Sequence, residues 1–234
     1  MALDTAKHKN ILIKILKDIY TDATISTILG FKGGTAATLF YELSRFSVDL
    51  DFDLLDSKKE DYVFERVKTI LEKYGELKQV RKKRFNLFYS LAYEGKDINA
   101  QKVKVEINRR EFGSTYDVKS FLGISMQVMV KEDMAAHKLC AMYERLGKTN
   151  RDIFDVQFTL SHDWPVNQKI VVDRMDMSYA EFLKKAIVAV EKFDDSNILS
   201  GMGELLTEKQ KDWAKAKLKS ETLFSLRLAY EKEK

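Results

Sequence analysis

Residues 47–53, Ser-Val-Asp-Leu-Asp-Phe-Asp, place three carboxylates at alternate positions: Asp49, Asp51 and Asp53. On an extended strand, residues i and i+2 point the same way, with backbones about 7 Å apart. Carboxylates at that spacing repel, and one is pushed towards its neutral form, unless a cation sits between them. A hard divalent ion meets that need: Mg²⁺ takes oxygen ligands at about 2.0–2.1 Å, commonly one or two carboxylates plus phosphate oxygens. The plain alternative is an acidic, solvent-facing strand edge. Upstream lies Lys32-Gly33-Gly34-Thr35. Glycines let backbone N–H groups approach a phosphate closely, and a helix opening there adds its positive end. Thr35 would donate a hydroxyl or cap the helix. Lys32 would meet a phosphate or sit in solvent. The Walker spacing Gly-x-x-x-x-Gly-Lys is absent. Glu106, within Lys-Val-Lys-Val-Glu-Ile-Asn, lies on the polar side of another alternating segment. A neighbouring strand would bring it beside Asp49 and Asp51 as a cage for two-metal phosphoryl chemistry; otherwise it pairs with Lys104.

These side chains need elements to hold them. Leu12, Ile15, Leu16 and Ile19 follow helical spacing, which predicts a helix within residues 9–29 that breaks at or before Gly30. Ala36–Ser44 reads as a second helix, opening after the Gly-Gly-Thr. Around the aspartates, Val48, Leu50 and Phe52 alternate with the acidic positions, as in a strand with one buried face. Residues 60–74 resume helical spacing. Phe85, Leu87, Tyr89, Leu91 and Tyr93 mark one side of another strand, and Val103, Val105 and Ile107 mark a third. Beyond about residue 130 strand signals fade and helices dominate. The expected organisation is α+β: residues 1–120 as a small mixed sheet with helices, and residues 121–234 as a mainly helical domain.

Composition bounds the rest. The 234 residues are 45% hydrophobic and 32% charged, enough apolar content for a core. The single cysteine, Cys140, excludes an intramolecular disulfide, and its place in an apolar helical pattern favours packing over nucleophilic use. The three histidines show no zinc spacing. Charges inside the first apolar run argue against a signal peptide or membrane span, so the chain is expected to be cytoplasmic. A net charge of +4 decides little. Its distribution says more: Arg81, Lys82, Lys83 and Arg84 form a basic run suited to nucleic acid, or a solvated loop before a strand. The terminal amphipathic stretch would set Trp213, Leu218, Phe224 and Leu228 against a core.

Two blocks together resemble a known family. Lys-Gly-Gly-Thr followed by Arg-Phe-Ser-Val-Asp-Leu-Asp-Phe, and later Met129–Phe158 with Lys138, Arg145, Arg151, Asp152 and Asp155, are similar to the AbiEii/AbiGii nucleotidyltransferase toxins of type IV toxin–antitoxin and abortive-infection systems. Val-Lys-Val-Glu-Ile-Asn between the blocks also fits, and the resemblance covers about residues 28–160. It implies a polymerase-β-like nucleotidyltransferase fold with an attached helical region. It further implies transfer of a nucleotide from an NTP, in some relatives to the acceptor end of tRNA, which arrests growth. Carried onto this chain, Gly33, Gly34 and Thr35 hold the triphosphate, Asp49 and Asp51 bind Mg²⁺, Lys138 and Arg145 meet phosphate charge, and Asp152 belongs to the later motif. An antitoxin encoded nearby is implied, without a need for stable contact. Read from the residues alone, Lys138 and Arg145 equally suit ion pairs with Glu132, Glu144 or Asp152. Two rival functions stay open: transfer to a small molecule or protein hydroxyl, and a non-catalytic NTP-binding module.

Overall fold

The computed structural model describes residues 4–93 and 101–234. Two compact units are present: residues 1–111 with 115–129, and residues 112–114 with 130–234. The first is built on a mixed sheet. Its strands are β1 (Leu29–Lys32), β2 (Asp49–Leu54), β3 (Glu76–Lys82), β4 (Asn86–Ala92), β5 (Lys102–Asn108), β6 (Tyr116–Phe121) and β7 (Ile124–Met129), arranged in the order β3-β4-β5-β2-β1-β7-β6. β2 runs antiparallel to β1 and parallel to β5, while β7 runs parallel to β1.

Residues opposite one another in paired strands share a face of the sheet. Phe52 lies opposite Phe31 and Ile107, Ile107 opposite Leu87, and Leu50 opposite Val105. All six are fully buried. This apolar face is covered by α1 (Thr5–Thr21) and α3 (Glu60–Leu71), through ring contacts of Tyr20 with Phe52 at 6.3 Å and Phe64 with Tyr89 at 5.5 Å. Burying each large side chain contributes about 1.5–3 kcal/mol. The next residue along every strand points to the opposite, polar face. Asp49, Asp51 and Glu106 therefore share that face.

The helix expected within residues 9–29 stops at Thr21. The Asp22 carboxylate takes the backbone N–H and hydroxyl of Thr24, a local turn that competes with helix. Gly30 lies inside β1 rather than at a helix end. α2 spans Gly33–Phe40, so both glycines belong to its first turn. The basic run is split between strand and turn: Arg81 and Lys82 end β3, an edge strand where lysines discourage edge-to-edge pairing, and Lys83 and Arg84 lie in the turn before β4.

The second unit is helical: α4 (Lys131–Arg145), α5 (Arg151–Ser161), α6 (Gln168–Met175), α7 (Tyr179–Lys192) and α8 (Glu208–Glu231). Its core includes Leu139, Val156, Phe182, Leu183 and Leu218. α8 buries Ala214, Leu218, Thr222 and Leu226, at four-residue spacing. Phe224 and Leu228, expected against the core, are 66% and 47% exposed instead. The inward stripe runs along small and medium residues because α5 and α7 both pack on α8, and close helix packing favours them. No helix among the described residues is long and apolar enough to cross a membrane.

Candidate active site

The passage from β1 into α2 sets the site. Gly33 adopts φ +79°, and a Cβ there would lie 2.2 Å from Asp51 Oδ2. A side chain at this position would meet both backbone strain, about 1–2 kcal/mol, and a carboxylate. At Gly34 a Cβ would meet Ser47 Oγ at 2.7 Å and Arg45 Nη2 at 3.0 Å. The first N–H groups of a helix have no acceptor within it. Those of α2 thus open beside the Asp51 carboxylate and near the buried guanidinium of Arg45. Thr35 is buried, and its hydroxyl donates to the Asp49 carbonyl at 2.5 Å. It ties helix to strand and does not cap the helix, whose N-cap, Lys32, makes no capping hydrogen bond with its side chain.

Asp49 and Asp51 are half-buried on the polar face. Asp51 lies opposite Lys32 on one side and Glu106 on the other. Glu106 accepts a hydrogen bond from the Asn86 amide. Asp53 has a different fate: it is buried, and accepts from Lys32 Nζ at 2.5 Å, Tyr116 Oη at 2.5 Å and Asn108 Nδ2 at 2.7 Å. Lys32, expected at a phosphate, spends its ammonium on Asp53. The Tyr116 ring lies over Gly30, where a Cβ would come within 2.3 Å of it, so that glycine makes room for the hydroxyl that holds Asp53.

Among the described residues, no group of three or more His, Cys, Asp or Glu is gathered closely enough to hold a metal ion. The cage expected from Asp49, Asp51 and Glu106 is therefore not drawn together: like charges repel, and Glu106 takes the Asn86 amide. The donor chemistry still fits a hard divalent cation, with paired carboxylates beside helix N–H groups placed for phosphate.

Several positioning residues were not foreseen. His8, on α1, is buried; its Nε2 lies 2.9 Å from the Val48 carbonyl and its Nδ1 2.7 Å from Tyr93 Oη. With Nε2–H donating to that carbonyl, His8 fixes the residue before Asp49. Burial pushes the imidazole below its ordinary value, outweighing the Val48 bond and the Asp49 charge. Arg45 had a sequence signal, as the first residue of the Arg-Phe-Ser-Val-Asp-Leu-Asp-Phe block that carries the family resemblance. Asn86, Asn108 and Tyr116 had none, since their partners are distant in the chain.

In the second unit, Lys138 Nζ lies 2.5 Å from Asp155 Oδ2, and Arg145 Nη2 lies 2.8 Å from Asp152 Oδ2. Both aspartates are buried, so each pair couples α4 to α5. Asp155, not the Glu132 or Glu144 weighed from sequence, holds Lys138. Cys140 is buried and its thiol is pushed up to about 11 by that burial, which leaves it protonated at neutral pH and a poor nucleophile.

Arg81 and Lys82 lie on opposite sides of β3, and Lys83 and Arg84 follow it in the turn. Lys82 pairs with Asp61 of α3 and lies 4.9 Å from the Phe64 ring. Arg81 lies opposite Phe88, on the polar face with Glu106. Lys83 Nζ sits 3.5 Å over the Phe88 ring, and Arg84 lies 4.8 Å from the Phe85 ring.

Residues 14–226 match the family model described as nucleotidyl transferase AbiEii toxin, type IV toxin–antitoxin system. The chain belongs to the AbiEii toxin family. It is thus a nucleotidyltransferase of a toxin–antitoxin system, and the family implies an NTP substrate and a cognate antitoxin. Solved structures share the fold of this AbiEii member. JHP933 from Helicobacter pylori is 24% identical at TM-score 0.64, covering 99% of this chain and 94% of that one. Another H. pylori chain, described as a nucleotidyltransferase, is 22% identical at TM-score 0.64, over 99% and 97%. MenT4, a nucleotidyltransferase toxin from Mycobacterium tuberculosis, is 17% identical at TM-score 0.59, over 95% and 84%. No curated protein matches the sequence.

Proposed function

We propose that this AbiEii toxin transfers a nucleotide from an NTP to the 3′ end of cytoplasmic tRNA, with Mg²⁺ at the Asp49–Asp51 pair. One observation carries the reading: the Asp51 carboxylate lies against Gly33 in the first turn of α2. The place suited to a phosphate and the place suited to a divalent cation adjoin. When bound, Mg²⁺ supplies charge neutralisation at the triphosphate and makes the acceptor hydroxyl more acidic.

The chain's own groups do the rest. The N–H groups at Gly33 and Gly34 bind phosphate oxygens, and Arg45 adds a cation beside them that burial has already stripped of much of its water. Thr35 and His8 fix the backbone on either side of the Val48–Asp49 peptide, which orients the Asp49 side chain. Glu106, steadied by Asn86, accepts the proton from the acceptor hydroxyl. That oxygen then attacks the α-phosphorus in line, a new P–O bond forms, the bond to the bridging oxygen breaks, and pyrophosphate leaves. For Lys138 and Arg145, which pair with Asp155 and Asp152, we propose neutralisation of phosphate charge.

Induced expression of wild type against Asp49→Ala tests this in cells. Growth arrest by wild type alone, with extra nucleotides at tRNA 3′ ends on sequencing, is expected. Arrest with unchanged tRNA ends would redirect the acceptor to a small molecule or protein hydroxyl; equal arrest by both would overturn the site.

A further inference from the structure

The turn joining β3 to β4 exposes an aromatic ring. Phe85 is 44% exposed, although its place in an alternating apolar pattern would put it inward. It precedes the first residue of β4, beyond the cover of the helices. Two guanidinium groups lie over its ring: Arg84 at 4.8 Å and Arg110 at 5.0 Å. The turn that carries it is firmly held. Lys83 N–H donates to the Asn86 carbonyl at 2.8 Å, and Arg109 N–H donates to the Phe85 carbonyl at 2.8 Å. The Arg109 side chain bonds both the Lys83 carbonyl and Glu60 at 2.7 Å. Arg109 and Lys82 are thus committed to carboxylates of α3. The cations that accompany the exposed ring are Arg84 and Arg110, with Lys83 nearby over Phe88.

This cluster is linked to the active site by strand register. Asn86, next to Phe85, lies opposite Asn108 and donates to Glu106, and Glu106 lies opposite Asp51. Two strand spacings across and three residues along separate the Phe85 turn from Asp51, on the order of 14 Å. Exposed aromatic rings flanked by arginine planes and positive charge are what single-stranded nucleic acid recognises, because every base has a face to stack. A duplex offers no free base to such a ring.

We infer that Phe85, Arg84 and Arg110 form a stacking platform for the unpaired 3′ tail of a polynucleotide acceptor, from which the tail crosses β4 and β5 to Glu106 and Asp51. The direction of the tail rests on the nucleotidyl-transfer reading above; the binding itself does not. The span favours a strand of several atoms' length over a small-molecule acceptor.

The test uses the full chain and a fluorescent RNA hairpin, with and without a short single-stranded 3′ extension, followed by anisotropy at fixed salt without NTP. Wild type binds the extended hairpin more tightly than the blunt one. Phe85→Ala and Arg110→Ala each weaken binding of the extended hairpin by at least about fivefold and leave the blunt one unchanged. Phe85→Trp retains binding, and Lys82→Ala behaves as wild type. In transfer assays with tRNA, Phe85→Ala raises KM with kcat little changed. Equal binding of both hairpins by wild type, or an undiminished affinity in Phe85→Ala, overturns the platform. Loss of transfer by wild type with hairpin binding intact overturns the transfer reading and leaves the platform standing.

Discussion

At the scale of single residues, Asp49 and Asp53 show how one motif divides. Both belong to the same alternating run, yet Asp53 is enclosed by Lys32, Asn108 and Tyr116, while Asp49 is held through its backbone. The aspartate pair was legible because a two-residue period needs only the local sequence. Asp53's enclosure was not, because its partners come from β1, β5 and β6. His8 was invisible for the same reason: it contacts residues some forty and eighty-five positions away. His8 gives a pH prediction. Its folded value lies below the unfolded 6.5, so the unfolded chain takes up more protons as the medium acidifies. Its contribution is complete above about pH 6.5 and is lost as pH falls from there towards the folded value. Urea midpoints at pH 7.5 and 5.5 should fall more for wild type than for His8→Gln. An identical fall in both would refute the assignment of a neutral, hydrogen-bonded His8.

At the scale of elements, the link between β1 and α2 matters most. Gly33 combines a left-handed backbone with a carboxylate where its Cβ would be, whereas Gly123, with φ +77°, has nothing within 4 Å of that point. Gly33→Ala should therefore cost more than the roughly 1–2 kcal/mol of backbone strain, displace Asp51, and abolish transfer. Gly123→Ala should show the strain alone and keep its activity. Thermal melts beside transfer rates distinguish the two, and an active Gly33→Ala would contradict the placement of Asp51. Sequence reading found β2, β4 and β5, whose apolar positions alternate cleanly. It did not identify β1, which has four residues, or β3, whose dense charge disguises an edge strand. β6 and β7 also escaped it: β6 is an edge strand whose Val118 is 70% exposed, and β7, though it buries Ile124, Met126 and Val128 at alternate positions, lies beyond residue 120, where the sheet was expected to end.

At the scale of the whole molecule, the family match runs through both units, from residue 14 to 226. The first unit supplies the carboxylates and the glycine-led helix; the second orders Lys138 and Arg145 by ion pairs to buried aspartates. The helical nature of the last third was legible from its periodicity. Which of its apolar residues turn inward was not, because that depends on how α8 lies against α5 and α7: Leu218 is buried and Phe224 is not. The most direct measurement incubates purified protein with each α-labelled NTP, Mg²⁺ and tRNA, and counts label at the tRNA 3′ end. Wild type should incorporate label and release pyrophosphate, and Asp51→Ala, folded to the same melting temperature, should do neither. Labelling by Asp51→Ala at the wild-type rate would contradict a transfer centre at the meeting of β2 and α2.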